Sequence, residues 1–116
     1  MSFRSLKKST VLEGPFVHMV FFWLKEPEND SSRKKFVTEL KFIDKISAIN
    51  RKHIGNPADT DRTVVDSTYT YSLVLSFNSR KKYDIYADHP LHLTFIENAS
   101  DLWEKVQVYD STILNS

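Results

Sequence analysis

Apolar and polar residues follow two rhythms along this chain, and each change of rhythm marks an element. The first apolar run, over 16–25, reads as a strand. Phe16, Val20, Phe22 and Leu24 share one face with His18, and Val17, Met19, Phe21 and Trp23 share the other. A strand apolar on both faces has to be covered on both, and one layer of helices covers only one. The turn Glu26-Pro-Glu-Asn-Asp30 follows, and Asp30, Ser31 or Ser32 can cap a helix. In that helix Phe36, Val37, Leu40, Ile43 and Ile46 recur at helical spacing, with Arg33, Lys34, Lys35, Glu39 and Lys45 toward water. A weakly patterned second strand is expected over 48–56, ending at Gly55-Asn-Pro57, and 58–67 is a polar loop, either loose or functional. The third strand, 69–77, alternates Tyr69, Tyr71, Leu73, Leu75 and Phe77 against Thr70, Ser72, Val74 and Ser76.

Asn78-Ser79 then caps a short helix over 80–87 that presents Tyr83 and Tyr86 on one side. Pro90 disfavours a helical conformation at His89 and suits a first helical turn, so a new helix is predicted to start there and run to about 103. His92, Phe95, Ile96, Ala99 and Trp103 fall at i, i+3, i+4, i+7 and i+11, which places them on one face. A fourth strand over 104–110 turns Val106 and Val108 one way and Lys105, Gln107 and Tyr109 the other. The organisation is a flexible extension over 1–14, one domain over 15–112 and a tail over 113–116. The order β-α-β-β-α-β is the ferredoxin-like α+β arrangement, one four-stranded antiparallel sheet with helices on one face. The second apolar face of the first strand is most simply covered by another copy of the chain. Two such sheets would form a dimeric α/β barrel with the helices outside. On this reading His18, Tyr86 and His92 line the space between the two sheets.

Composition narrows the function without naming it. The 116 residues suit one domain, and 41% hydrophobic with 27% charged is ordinary for a globular chain. Net charge is +1, which argues against nucleic acid as a main partner. A glycine-bearing basic-aromatic signature is also missing from the third strand, as an RNA-recognition sheet would require. There are no cysteines, which excludes disulfides and thiol catalysis and fits a cytoplasmic protein. No apolar run approaches the ~18 residues of a membrane span, so no membrane partner is expected.

The candidate chemistry centres on Tyr86-Ala-Asp-His-Pro-Leu-His92. His92 heads the apolar face of the last helix. Enolate chemistry needs a base near neutrality and a donor for the developing oxyanion, and an imidazole with a phenol can supply both. The first turn of a helix disfavours the imidazolium, which suits a neutral base. The alternative is that His92 binds a backbone carbonyl and fixes the Pro90 turn, that Tyr86 is a core anchor, and that His18 is a satisfied core histidine. His89 and His92 have i, i+3 spacing, but His89 is placed to cap the turn and Asp88 is the one close acid, so no metal site and no cofactor are expected. His53 lies in a polar strand. The runs Arg33-Lys-Lys35 and Arg80-Lys-Lys82 read as solvated helix starts.

Four stretches together resemble the stress-responsive α/β barrel domain (Dabb) family, over about 16–112. They are Val17-His-Met-Val-Phe-Phe-Trp-Leu-Lys25, Tyr71-Ser-Leu-Val-Leu-Ser-Phe-Asn-Ser79, the His-Pro-x-His element ending at His92, and Trp103-Glu-Lys-Val-Gln-Val-Tyr-Asp110. The resemblance implies a dimeric barrel. The family includes a plant polyketide cyclase with a His and Tyr acid–base pair, and the matching positions here are His92 and Tyr86, with His18 matching a further pocket histidine. Phe22 and Trp103 join His18 as expected ligand contacts. Two readings stand. One is a homodimer enclosing a small aromatic or polyketide-like ligand, with cofactor-independent cyclase or lyase chemistry. The other is a non-catalytic stress-related dimer whose barrel is packed solid. The volume of the interior separates them.

Overall fold

The elements follow in the expected order, β1 (Phe16–Leu24), α1 (Asp30–Lys41), β2 (Arg51–Gly55), β3 (Tyr71–Phe77), α2 (Arg80–Ala87), α3 (Pro90–Ala99) and β4 (Trp103–Thr112). The computed structural model describes residues 14–114. The extension expected over 1–14 lies outside the described residues but for Gly14, and of the tail over 113–116 only Ile113 and Leu114 are described. The backbone N–H of Ile113 still donates to the Pro15 carbonyl, at 2.8 Å.

The sheet order is β2-β3-β1-β4, with every pairing antiparallel. β1 is central because it is the strand with no polar face to give to water. Its burial alternates strictly, with Phe16, His18, Val20, Phe22 and Leu24 buried and the residues between them half-exposed. The buried set faces the helices together with Leu73, Leu75 and Phe77 from β3. Phe36 of α1 is fully buried at the centre of this layer. Its ring lies edge-on to Phe22 at 4.9 Å and stacks on Tyr71 at 5.3 Å. Leu40, Ile43, Ile46, Phe95 and Ala99 complete the core.

Several boundaries depart from the sequence reading for local reasons. Asn29, not Asp30, Ser31 or Ser32, caps α1, its side chain accepting from the Ser32 N–H at 2.9 Å. The helix tightens into a 3-10 turn over Phe42–Lys45, which keeps Ile43 and Ile46 on the core side. β2 is confined to Arg51–Gly55, since the residues before it are used in tight turns, Ile46 N–H to Ile43 and Ile49 N–H to Ile46. α3 stops at Ala99 and a 3-10 turn, Ser100–Leu102, releases Trp103 into β4. Tyr69 does not continue the β3 alternation. Thr70 breaks it, its hydroxyl accepting from the Leu24 N–H at 3.0 Å, and Tyr69 crosses to the open face beside Phe21, ring centroids 5.0 Å apart.

That open face carries Val17, Met19, Phe21, Trp23, Val74 and Tyr109, and among the described residues no helix lies over it. The polar loop after β2 is tied to one end of it. Trp23 Nε1 donates to Thr68 Oγ1 at 2.9 Å, and Thr68 is held to Asp66 through both its N–H and its hydroxyl. Lys105 lies over the Trp23 ring at 4.4 Å.

Phe36→Ala should destabilise the fold by about 3–5 kcal/mol, because the ring is fully enclosed by other aromatics and cannot collapse into a smaller site. Urea unfolding checks this, and a loss under about 1 kcal/mol would show that the aromatic layer is not the core.

Candidate functional site

The break between α2 and α3 builds the site. α2 ends at Ala87, and Asp88-His89-Pro90 turns the chain. His89 is the N-cap of α3, and its Nδ1 accepts from the Leu91 N–H at 3.0 Å. Pro90 follows at the first helical position, where its missing N–H costs nothing. This turn brings His92 back toward α2. Its Nδ1 lies 2.9 Å from the Ala87 carbonyl oxygen, and its ring lies 4.4 Å from Tyr86, tilted by 36°. A carbonyl only accepts, so Nδ1 carries the hydrogen. In the neutral ring Nε2 is therefore the basic nitrogen.

His18, Phe22, Tyr86, His92 and Trp103 all line one cavity of about 300 Å³, together with Val20, Leu73, Tyr83, Phe95, Ile96, Val106 and Val108. All five residues singled out from the sequence come together. Their location is corrected. They lie between the sheet and the α2–α3 layer of a single chain, not between two sheets, because the His18 face of β1 is the one the helices cover. Phe22 is also a core residue, 5.2 Å from Trp103 and packed on Phe36. Val106 and Val108 form an uncovered wall, being on the helix side of the edge strand and exposed.

Two polar contributors escaped the sequence reading. Tyr83 lines the cavity, with its ring 5.3 Å from His18. Asp110 pairs with His18 opposite it in the β1–β4 ladder, Nδ1 to Oδ1 2.5 Å. Asp110 shares its side of β4 with Val106 and Val108. An antiparallel return of that strand onto β1 would have put it opposite His18.

Burial governs the protonation of the site. It pushes the His92 pKa below its ordinary value, and nearby His18 adds to the effect, while the hydrogen bond to Ala87 opposes it. Burial also pushes the Tyr86 hydroxyl well above the usual phenol range, with Tyr83 and Asp110 adding to it. The pair is thus a neutral imidazole and a neutral phenol, one a base and the other a hydrogen-bond donor. Among the described residues no group of three His, Asp or Glu side chains is placed to hold a metal ion. Among the described residues no helix is long and apolar enough to cross a membrane.

The family model for the stress-responsive A/B barrel domain matches residues 16–113. Several solved structures are similar in fold. A Dabb family protein with a ferredoxin-like fold from Mesorhizobium loti aligns at TM-score 0.74 and 23% identity, over 88% of this chain and 99% of its own. The hydroxynitrile lyase of Passiflora edulis aligns at TM-score 0.71 and 18% identity, over 90% and 98%. A dimeric ferredoxin-like protein of unknown function from Thermobifida fusca aligns at TM-score 0.68 and 14% identity, over 91% and 98%. No curated protein matches the sequence.

The His92 shift carries a pH signature. Its folded-state pKa lies below the unfolded value near 6.5, so the unfolded chain takes up the proton first as pH falls. This contribution to stability is complete above the unfolded value and is lost as pH drops through it toward the folded one. Urea midpoints measured across that range should fall less steeply for His92→Gln than for the parent. Equal slopes would place His92 in solvent.

Proposed function

The chain belongs to the stress-responsive A/B barrel domain family, and from that premise we propose that its sheet–helix cavity takes a small aromatic or polyketide-like molecule and acts on it by cyclase- or lyase-type acid–base chemistry. The domain that does this is residues 15–112. The carrying observation is the cavity, about 300 Å³ of mainly apolar and aromatic wall in which His92 and Tyr86 stand ring to ring. That volume suits a small ligand and weighs against a solidly packed structural role. His92 Nε2 accepts a proton from the ligand. The Tyr86 hydroxyl, kept protonated by burial, donates a hydrogen bond to the oxygen on which charge develops. For a hydroxynitrile, the class that the Passiflora neighbour is named for, the hydroxyl proton goes to Nε2 and its electron pair forms the carbonyl. The C–CN bond breaks, and cyanide leaves with the bonding pair and then takes the proton. No cofactor is needed for this step. The absence of cysteine suits the reducing cytoplasm.

The open face of β1 supports self-association. Val17, Met19, Phe21, Trp23 and Tyr109 make an apolar surface that no helix among the described residues covers, and a second copy would close it. Structural neighbours from Thermobifida fusca and Bacteroides fragilis are described as dimeric. Light scattering at micromolar concentration should give twice the 13.6 kDa chain mass, and Met19→Asp should give the monomer. A parent monomer would remove this surface from the function.

1-Naphthol is a suitable binding probe, because Trp103 in the cavity wall reports its entry by fluorescence quenching. His92→Ala should weaken binding about tenfold, the loss of one buried hydrogen bond. Mandelonitrile tests turnover, and release of benzaldehyde should fall about 10²–10⁴-fold in the same variant. If His92→Ala binds and turns over like the parent, the site is not functional.

A further inference from the structure

The cavity contains a second imidazole that the His92–Tyr86 reading leaves without a task. His18 is buried on β1, and its ring lies 5.7 Å from Tyr86 and 5.3 Å from Tyr83. Tyr86 therefore neighbours two histidines, His92 at 4.4 Å and His18 at 5.7 Å. The two rings are tethered alike but to partners of different charge. His92 is held through Nδ1 by the Ala87 carbonyl, and His18 is held through Nδ1 by the Asp110 carboxylate at 2.5 Å. No described residue hydrogen-bonds to Nε2 of either ring. Both rings line the cavity. A buried polar atom left with no partner is costly, and among the described residues no buried side-chain nitrogen or oxygen is left that way.

We propose that His18 is a second proton-carrying group of this cavity and that Asp110 is its positioning residue. This rests on the cavity being the ligand site. An ionised carboxylate only accepts, so it fixes the hydrogen on Nδ1 and leaves the Nε2 lone pair for the ligand. When Nε2 takes a proton from a ligand O–H, the electron pair stays on the ligand oxygen. The ring becomes an imidazolium whose charge faces Asp110, and the reverse step returns the proton. His92 has no such counter-charge, since Ala87 offers only a neutral carbonyl. The groups that face this pair are Tyr83 and Tyr86 from α2 and His92 from α3, with Arg80 close enough to Asp110 to feel its charge. The site therefore suits a ligand with two polar groups, one for each imidazole.

Long-range ¹H–¹⁵N spectra of the histidine side chains test this on the full chain. In the parent, at a pH above the imidazole range, His18 should show the Nδ1–H form, and resorcinol, which carries two hydroxyls, should shift the Nε2 signals of both His18 and His92. Asp110→Asn should convert His18 toward the Nε2–H form, because an amide can donate to Nδ1 where a carboxylate cannot, and Asp110→Glu should restore the parent form. An Nε2–H His18 in the parent overturns the proposal whether or not either variant folds. A response at His92 with none at His18 also overturns it while leaving the cavity reading standing. No response at either ring removes both.

Discussion

A strand with two apolar faces has to be buried twice, and β1 imposes that condition on everything around it. One face is met by α1 and the α2–α3 unit, which bury Phe16, Val20, Phe22 and Leu24 under Phe36, Leu40 and Phe95. Each large apolar side chain closed into this layer contributes about 1.5–3 kcal/mol relative to leaving it in water. Among the described residues the other face has only the end of the polar loop, pinned by Trp23 and Thr68, so most of its apolar surface has no helix against it. Helix layer and open face are thus two answers to one demand of the sequence.

The helix layer does not reach as far as the sheet. β4 lies at the edge beside β1, and its inward valines, Val106 and Val108, stay exposed. The cavity occupies the resulting step between α3 and β4. Its shape depends on the turn at His89 and Pro90. Without a break there α2 would continue along its own axis, and His92 could not fold back on Tyr86 and Ala87. The cap on Leu91 N–H and the proline at the first helical position fix the direction of α3, and that direction sets the placement of His92. His89 and His92 look like a pair in the sequence but have separate work, one holding the turn and the other facing the cavity.

Much of this was legible along the chain because it is local. The double alternation of β1, the Pro90 start and the inward face His92, Phe95 and Ala99 each depend on residues a few positions apart, whereas the extension of that stripe to Trp103 fails because α3 ends at Ala99. What was not legible is non-local. Both faces of β1 are equally apolar, so periodicity could say that His18 is buried but not which layer covers it, and the cavity was expected on the wrong side of His18. Tyr69 continues the β3 pattern on paper, but the hydrogen bond of Thr70 to Leu24 turns it to the other face. Asp110 lies 92 residues from His18, and only the β1–β4 register makes them neighbours.

That register also explains why a polar pair is tolerated beside the core. His18 is the one polar side chain on the buried face of β1, and an imidazole there without a partner would cost about 1–3 kcal/mol. Its position opposite Asp110, at the end of β4 where the helix layer has run out, supplies a carboxylate that is itself partly in water. The ion-pairing group is thus spared full desolvation, the usual penalty for a buried pair. His92, half-buried, meets the same need with a backbone carbonyl, which carries no charge to desolvate. The position of each ring along the sheet therefore decides its partner, a carboxylate for His18 and a backbone carbonyl for His92. A single cavity wall in this way presents two imidazoles of unlike character, arranged by how far the helices extend over one sheet.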